Sequence, residues 1–259
     1  MDNRSVLVTR IECPTRIIES FDAWIPKHFD DSLDHDSVTS ATNYQVIRDF
    51  DSSTGLPWVL NGHGNRLVVY VADSTTGLID WLDSPELRGA VKDGLEFLEG
   101  KCPSLDGEVA WMTGNIYEVR KIVRPVGQDF LGSSSVFVER FEVGIERESE
   151  FVDWLEGKHL AALSSISDVT RVRTFRQKLD VPQRFPYDRY CSKGNYMIMV
   201  EIPSHIDLRS FARRPAFLEI IQQSLIWDLE LSYVRRELVK FVAIRNKSDA
   251  KRTFFERHK

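Results

Sequence analysis

The feature that most constrains this 259-residue chain is that its sequence pattern occurs twice. Phe21-x-x-Trp24 recurs as Phe151-x-x-Trp154, 130 positions later, and His28 has a counterpart in His159, 131 positions later. Ten residues after each histidine stands Val-Thr, at Val38-Thr39 and Val169-Thr170, and five residues after each threonine an aromatic, Tyr44 and Phe175. Trp81-x-x-x-Pro85 likewise matches Phe211-x-x-x-Pro215 at 130. One coincidence carries no weight. Several in the same order at the same separation predict an internal duplication, with halves at 1–125 and 134–247.

Each copy predicts the order β-α-β-β-α-β. In the first, strands are expected at 5–11, 38–47, 67–71 and 109–123, with helical spacing over 14–34 and 78–98. Pro26 is expected to kink or restart the first helix, and Pro85 after Ser84 marks a helix start. In the second, strands fall at 136–143, 169–175, 196–200 and 238–244, and helices at 148–166, with Ser149 as a cap, and 208–229. The fold class expected is therefore α+β, two tandem ferredoxin-like repeats. Each gives a four-stranded antiparallel sheet with helices on one face, and the bare faces of the two sheets cover each other as a barrel. A barrel of about eight strands can enclose one small ligand.

Charge and cysteine content exclude several classes. The net charge of −5 argues against a nucleic-acid binder. The basic C-terminal stretch from Arg245 to Lys259 reads as a solvated end. Cys13, Cys102 and Cys191 are too few and scattered for a disulfide framework or a zinc site. No apolar run of about 18 residues suggests a membrane span, and the N-terminus lacks a signal-peptide pattern. Cytoplasmic localisation is the expectation. Glycine-rich nucleotide loops and a Gly-x-Ser-x-Gly elbow are also missing, and Asp34-His35-Asp36 has the wrong spacing for a metal.

The stretch Phe151-Val-Asp-Trp154-Leu-Glu-Gly-Lys-His159-Leu, followed by Val169-Thr-Arg-Val-Arg-Thr-Phe175, resembles EthD-like members of the dimeric α/β-barrel superfamily. Phe21-Asp-Ala-Trp24 with His28-Phe and Ser37-Val-Thr-Ser-Ala-Thr-Asn-Tyr44 resembles it too, with one residue fewer between tryptophan and histidine and with Pro26 in that interval. The resemblance implies an intramolecular version of the dimeric barrel. It also implies a range of activities, from cofactor-free monooxygenases to cyclases, lyases, isomerases, decarboxylases and haem enzymes.

Candidate reactive groups follow from chemistry. Histidine's unperturbed pKa lies near neutrality, which makes His159 and His28 candidate general acids or bases; the bland alternative is a histidine that caps the helix or is bonded to backbone. Tyr44 and Tyr70 lie on strands and could donate to a developing oxyanion from the barrel interior. Trp24 and Trp154 are candidate substrate platforms, although helical spacing favours the core. Arg171 and Arg173 share a strand face; facing inward, Arg173 would bind a carboxylate or phosphate, whereas facing outward, the reading preferred from sequence, it would be solvated. Glu139 and Glu201 are possible partners for these arginines, and His63 could reach a cavity mouth from its loop.

The expectation is a cofactor-independent small-molecule enzyme, of lyase, cyclase or isomerase type, using a histidine acid/base in a barrel cavity on a hydrophobic substrate, perhaps in biosynthesis. A cofactor-free monooxygenase on an aromatic substrate and a non-catalytic ligand-binding barrel are the alternatives. No metal, no cofactor, no nucleic acid and no membrane partner are expected; a haem through one axial histidine and a homodimer stay open.

Overall fold

A computed structural model describes residues 3–47, 64–101, 111–123, 132, 134–178, 193–231 and 233–247. Alternation decides its strands. In β1 (Ser5–Glu12), Val6 and Val8 belong to one apolar cluster, and Leu7 and Ile11 to another on the opposite face. The same holds in β2 (Val38–Val46), β3 (Arg66–Ala72), β4 (Trp111–Val123), β5 (Ser135–Glu142), β6 (Arg171–Gln177), β7 (Tyr196–Ile202) and β8 (Tyr233–Asn246). All eight close into one antiparallel barrel in the order β1-β3-β2-β8-β5-β7-β6-β4.

The two longest strands make the closure. β4, with 13 residues, pairs with β1 over its first part and with β6 from Tyr117 to Val123. β8, with 14, pairs with β5 and then with β2, as far as Ser40↔Asn246. Sequence reading starts this last strand only at 238. Val-Arg-Arg-Glu looks like a solvated surface, yet Arg235, Arg236 and Glu237 are all buried and ion-paired.

Helices cover the outside. On the first sheet lie α1 (Ile18–Ser32), α2 (Thr75–Leu82) and α3 (Pro85–Lys101). Ser74 caps α2 through its side chain, and Ser84 accepts from the Leu87 amide at the start of α3. Pro26 lies inside α1 without ending it. On the second sheet α4 (Glu148–Trp154) runs through a π-helical turn, Leu155–His159, into α5 (Leu160–Ser165), followed by α6 (Leu208–Ala212) and α7 (Pro215–Glu230). Ser149 does not cap α4, whose first turn makes no side-chain cap bond. No helix among the described residues is long and apolar enough to cross a membrane.

One small hydrogen-bond set occurs twice. Gly64, at φ +102°, donates its amide to Glu12, and Asn65 binds both backbone groups of Cys13. Gly194, at φ +115°, donates to Glu142, and Asn195 binds both backbone groups of Val143. The left-handed backbone explains why each of these positions is glycine. Each Gly-Asn pair clamps the end of one strand to the start of its neighbour, 130 positions apart in the two cases.

Candidate functional site

The residues singled out from sequence divide between two environments. Tyr44 and Arg173 face the barrel interior; Tyr70, His28 and His159 do not. The interior holds Val6, Val8, Tyr44, Val69, Tyr117, Val138, Phe175, Met197, Met199 and Val239 among others. Near one end, Glu201 takes ion pairs from Arg173 and from Arg171, the latter at 3.5 Å. These arginines are buried rather than solvated, and Glu201 already engages them. At the other end Glu237 binds Arg10 at 2.8 Å and the Arg235 Nε at 2.8 Å. The Tyr44 hydroxyl is fully buried with no hydrogen-bond partner among the described residues, and burial raises its pKa well above the ordinary phenol value, with Arg173 opposing. His63 lies outside the described residues.

The expectation of a histidine inside the barrel is therefore corrected: both histidines lie between the outer sheet face and the helices. The reason is register. Odd-numbered residues of β1 and β5 and even-numbered ones of β3 and β7 point to the helices, so a residue late on α1 or at the end of the π turn meets those positions. His28 reaches Tyr70 on β3, Nε2 to hydroxyl, at 3.1 Å. Its ring packs on Trp24 at 4.7 Å, and Trp24 stacks in turn on Phe97 at 4.8 Å. Burial pushes the imidazole down to about 4, against the opposing pull of Asp93. A neutral histidine bonded to a tyrosine inside an aromatic shell is the result.

In the second half the corresponding space is charged. His159 Nε2 lies 2.7 Å from Glu139 Oε2, and Arg236 donates from Nε to Glu139 Oε1 at 2.9 Å and from Nη2 to Ser224 Oγ at 2.8 Å. All four side chains are buried. Burial works against the Glu139 carboxylate, but His159 and Arg236 outweigh it and hold the group below the usual carboxylate range. An ionised Glu139 fixes the tautomer with hydrogen on Nε2, which leaves the Nδ1 lone pair as the basic site. Nδ1 makes no hydrogen bond among the described residues. Trp154 stacks on the imidazole at 4.5 Å and 20°, and Trp227 lies 5.5 Å from Trp154.

The π turn explains the extra residue between Trp154 and His159. An α-helix stacks positions four apart, as at Trp24 and His28; a π turn stacks positions five apart. The inserted residue is absorbed, and tryptophan stays on histidine in both halves. The helical irregularity thus lies at Leu155–His159 and not around His28.

Glu139, Arg236 and Ser224 were not paired by sequence reading, which matched Glu139 to Arg171 or Arg173. A signal existed: Glu139 interrupts the apolar series Phe137, Phe141 on a face otherwise given to the core. Among the described residues no group of three His, Cys, Asp or Glu side chains could hold a metal ion. What the site can do unaided is accept a proton at Nδ1 beside an indole surface, with the resulting imidazolium stabilised by a fixed carboxylate.

No protein-family model matches the chain, and no curated protein matches it in sequence. Solved structures do resemble it. An anthrone oxidase-like protein superposes with a TM-score of 0.60 at 13% identity, covering 95% of this chain and 94% of its own. A candidate monooxygenase from Fusobacterium nucleatum gives 0.56 at 10%, over 94% of both chains. Another from Lactobacillus acidophilus NCFM gives 0.53 at 9%, over 95% and 97%. At such identities the likeness is one of fold: an α+β chain organised around a closed, antiparallel, eight-stranded barrel.

Proposed function

We propose that the chain is a small-molecule enzyme whose first step is removal of a weakly acidic proton by His159, with Glu139 orienting the base and Arg236 holding Glu139 ionised. The buried His159–Glu139 contact of 2.7 Å carries this reading, because a carboxylate-fixed imidazole stacked on an indole is a positioned base rather than a merely packed ring. A flat, apolar, electron-rich carbonyl compound suits the tryptophan and phenylalanine surroundings. The chemistry proposed after deprotonation is oxygenation. The resulting carbanion reduces dioxygen, the two recombine to a hydroperoxide, and water leaves, so that a CH2 group and O2 become C=O and H2O. The naming of two neighbours as monooxygenases and of a third as anthrone oxidase-like favours this over the lyase, cyclase or isomerase outcome, which shares the first step and needs no oxygen.

The experiment is oxygen consumption on addition of a hydroxylated anthrone, comparing wild type with His159→Ala. Uptake by wild type and a loss of about 10²-fold or more in the variant is expected. Uptake that survives His159→Ala sinks the assignment of the base; turnover of the same compound without oxygen uptake would favour the cyclase or isomerase outcome. We further read 1–125 and 134–247 as a duplicated pair of EthD-like halves, supported by the twofold Gly-Asn clamp and the matched Trp–His stacks.

A further inference from the structure

Arg66 grips Asp22 edge to edge. Its Nε reaches one carboxylate oxygen at 2.9 Å and its Nη2 the other at 2.7 Å, so one guanidinium engages both oxygens. Arg236 brings the same two nitrogens to Glu139 but divides them. Nε takes Oε1 at 2.9 Å, whereas Nη2 turns to Ser224 Oγ at 2.8 Å. Oε2 is left to His159 Nε2, at 2.7 Å. Ser224 thus stands in for the second carboxylate oxygen of the Asp22 pair, and it acts there as an acceptor. It is fully buried on α7, and its own proton goes back to the Ile221 carbonyl, three residues earlier, at 2.7 Å. That back-bond leaves the oxygen lone pairs to the guanidinium.

The first half has none of these three groups. Thr9 on β1 lies 130 positions before Glu139, and Gly114 stands opposite Thr9 as Arg236 stands opposite Glu139. On α3, Gly94 precedes Ser224 by the same 130. His28 meets the Tyr70 hydroxyl instead. Carboxylate, arginine and serine are therefore present together or replaced together. Two demands fall on Glu139, and they conflict. Buried, it needs a cation to stay ionised; as the anchor of His159, it needs an oxygen that the cation does not take. An arginine fork closed on both oxygens would meet the first demand and defeat the second.

We propose that Ser224 is a positioning residue for His159: by occupying Nη2 of Arg236 it keeps the guanidinium fork from closing on both oxygens of Glu139, and so reserves Oε2 for the imidazole. This rests on the reading of His159 as the base. The test is proton NMR of the full chain, following the downfield imidazole N–H signal that a histidine–carboxylate bond produces, assigned by its loss in His159→Gln. The variants are Ser224→Ala, Arg236→Lys and the two combined. Alanine suits a helix interior, so the fold is retained, and circular dichroism checks it. The control is Ser165→Ala, whose hydroxyl makes the same back-bond on α5, to the Ala162 carbonyl at 2.7 Å. The signal is expected in wild type and in the control, and is lost in Ser224→Ala. It is retained in the Arg236→Lys single and double variants, because an ammonium has no fork to close. Absence of the signal in wild type, its survival in Ser224→Ala, or its loss in the double variant as well as in Ser224→Ala overturns the proposal. The signal is read without substrate, so it is decided separately from the assignment of the base, which rests on oxygen uptake by His159→Ala.

Discussion

Glu139 offers a direct test of the charge balance beneath the second set of helices. Its side chain is fully buried and touches His159 at 2.7 Å and Arg236 at 2.9 Å. Glu139→Gln keeps the volume but removes the carboxylate charge that faces Arg236. Breaking one side of a buried ion pair costs about 3–5 kcal/mol, because the surviving charge keeps its desolvation penalty. His159→Gln leaves the Glu139–Arg236 pair whole and removes one charge-assisted hydrogen bond, about 1.5–3 kcal/mol. The variant Arg236→Met strands Glu139 in the same way that Glu139→Gln strands the arginine. With both charges removed, neither penalty remains, so the double variant should be more stable than the sum of the singles by about 2 kcal/mol or more. Urea unfolding followed by tryptophan fluorescence measures this, since Trp154 and Trp227 flank the network. A Glu139→Gln cost below about 1 kcal/mol, or strict additivity in the cycle, would refute the claim that the carboxylate is held ionised between two partners.

Three further outcomes follow from the geometry. The unfolded His28 imidazole takes a proton near its ordinary 6.5, whereas the buried one stays neutral down to about 4. Stability should therefore fall by about 3 kcal/mol as pH drops through that window, and His28→Phe should remove that share of the acid sensitivity in urea midpoints at several pH values. Tyr44→Phe deletes a buried hydroxyl that has no hydrogen-bond partner among the described residues, and should leave stability unchanged or raise it by about 1 kcal/mol; a loss of more than about 1 kcal/mol would mean that the hydroxyl is engaged. Deleting Gly157 should turn the π turn into regular α-helix and raise stability by about 1 kcal/mol, because a helix-interior glycine disappears while the Trp154–His159 stack is kept at a spacing of four. A cooperative but less stable chain would count against that account.

Strand and helix order were legible because each sheet has one face under helices and one inside a barrel, which prints period two on the strands and helical period on α1, α3 and α7. The sense of each strand face was not legible. Tyr44 and Tyr70 both sit inside strands, and only register decides that one enters the barrel and the other meets His28. Arginines were misjudged for a related reason. Sequence alone makes Arg171 and Arg173 look solvated, since the cost of burying them is met by Glu201, 28 to 30 residues away. Glu139 and Arg236 are 97 positions apart and meet because β8 pairs with β5 in that register, before it crosses on to β2.

That crossing also bears on how copies of the chain can associate. With β2 bound to β8 and β4 to β6, every strand of the barrel has two neighbours, and no free edge remains to recruit a strand from another molecule. A second copy can then join through the sheets only by opening both seams and exchanging whole halves, which remakes the same pairs between chains. Tethering fixes the competition: an intramolecular partner joined by a short connector acts at an effective concentration on the order of millimolar. Below that range the closed barrel of a single chain is favoured over exchange of strands between chains.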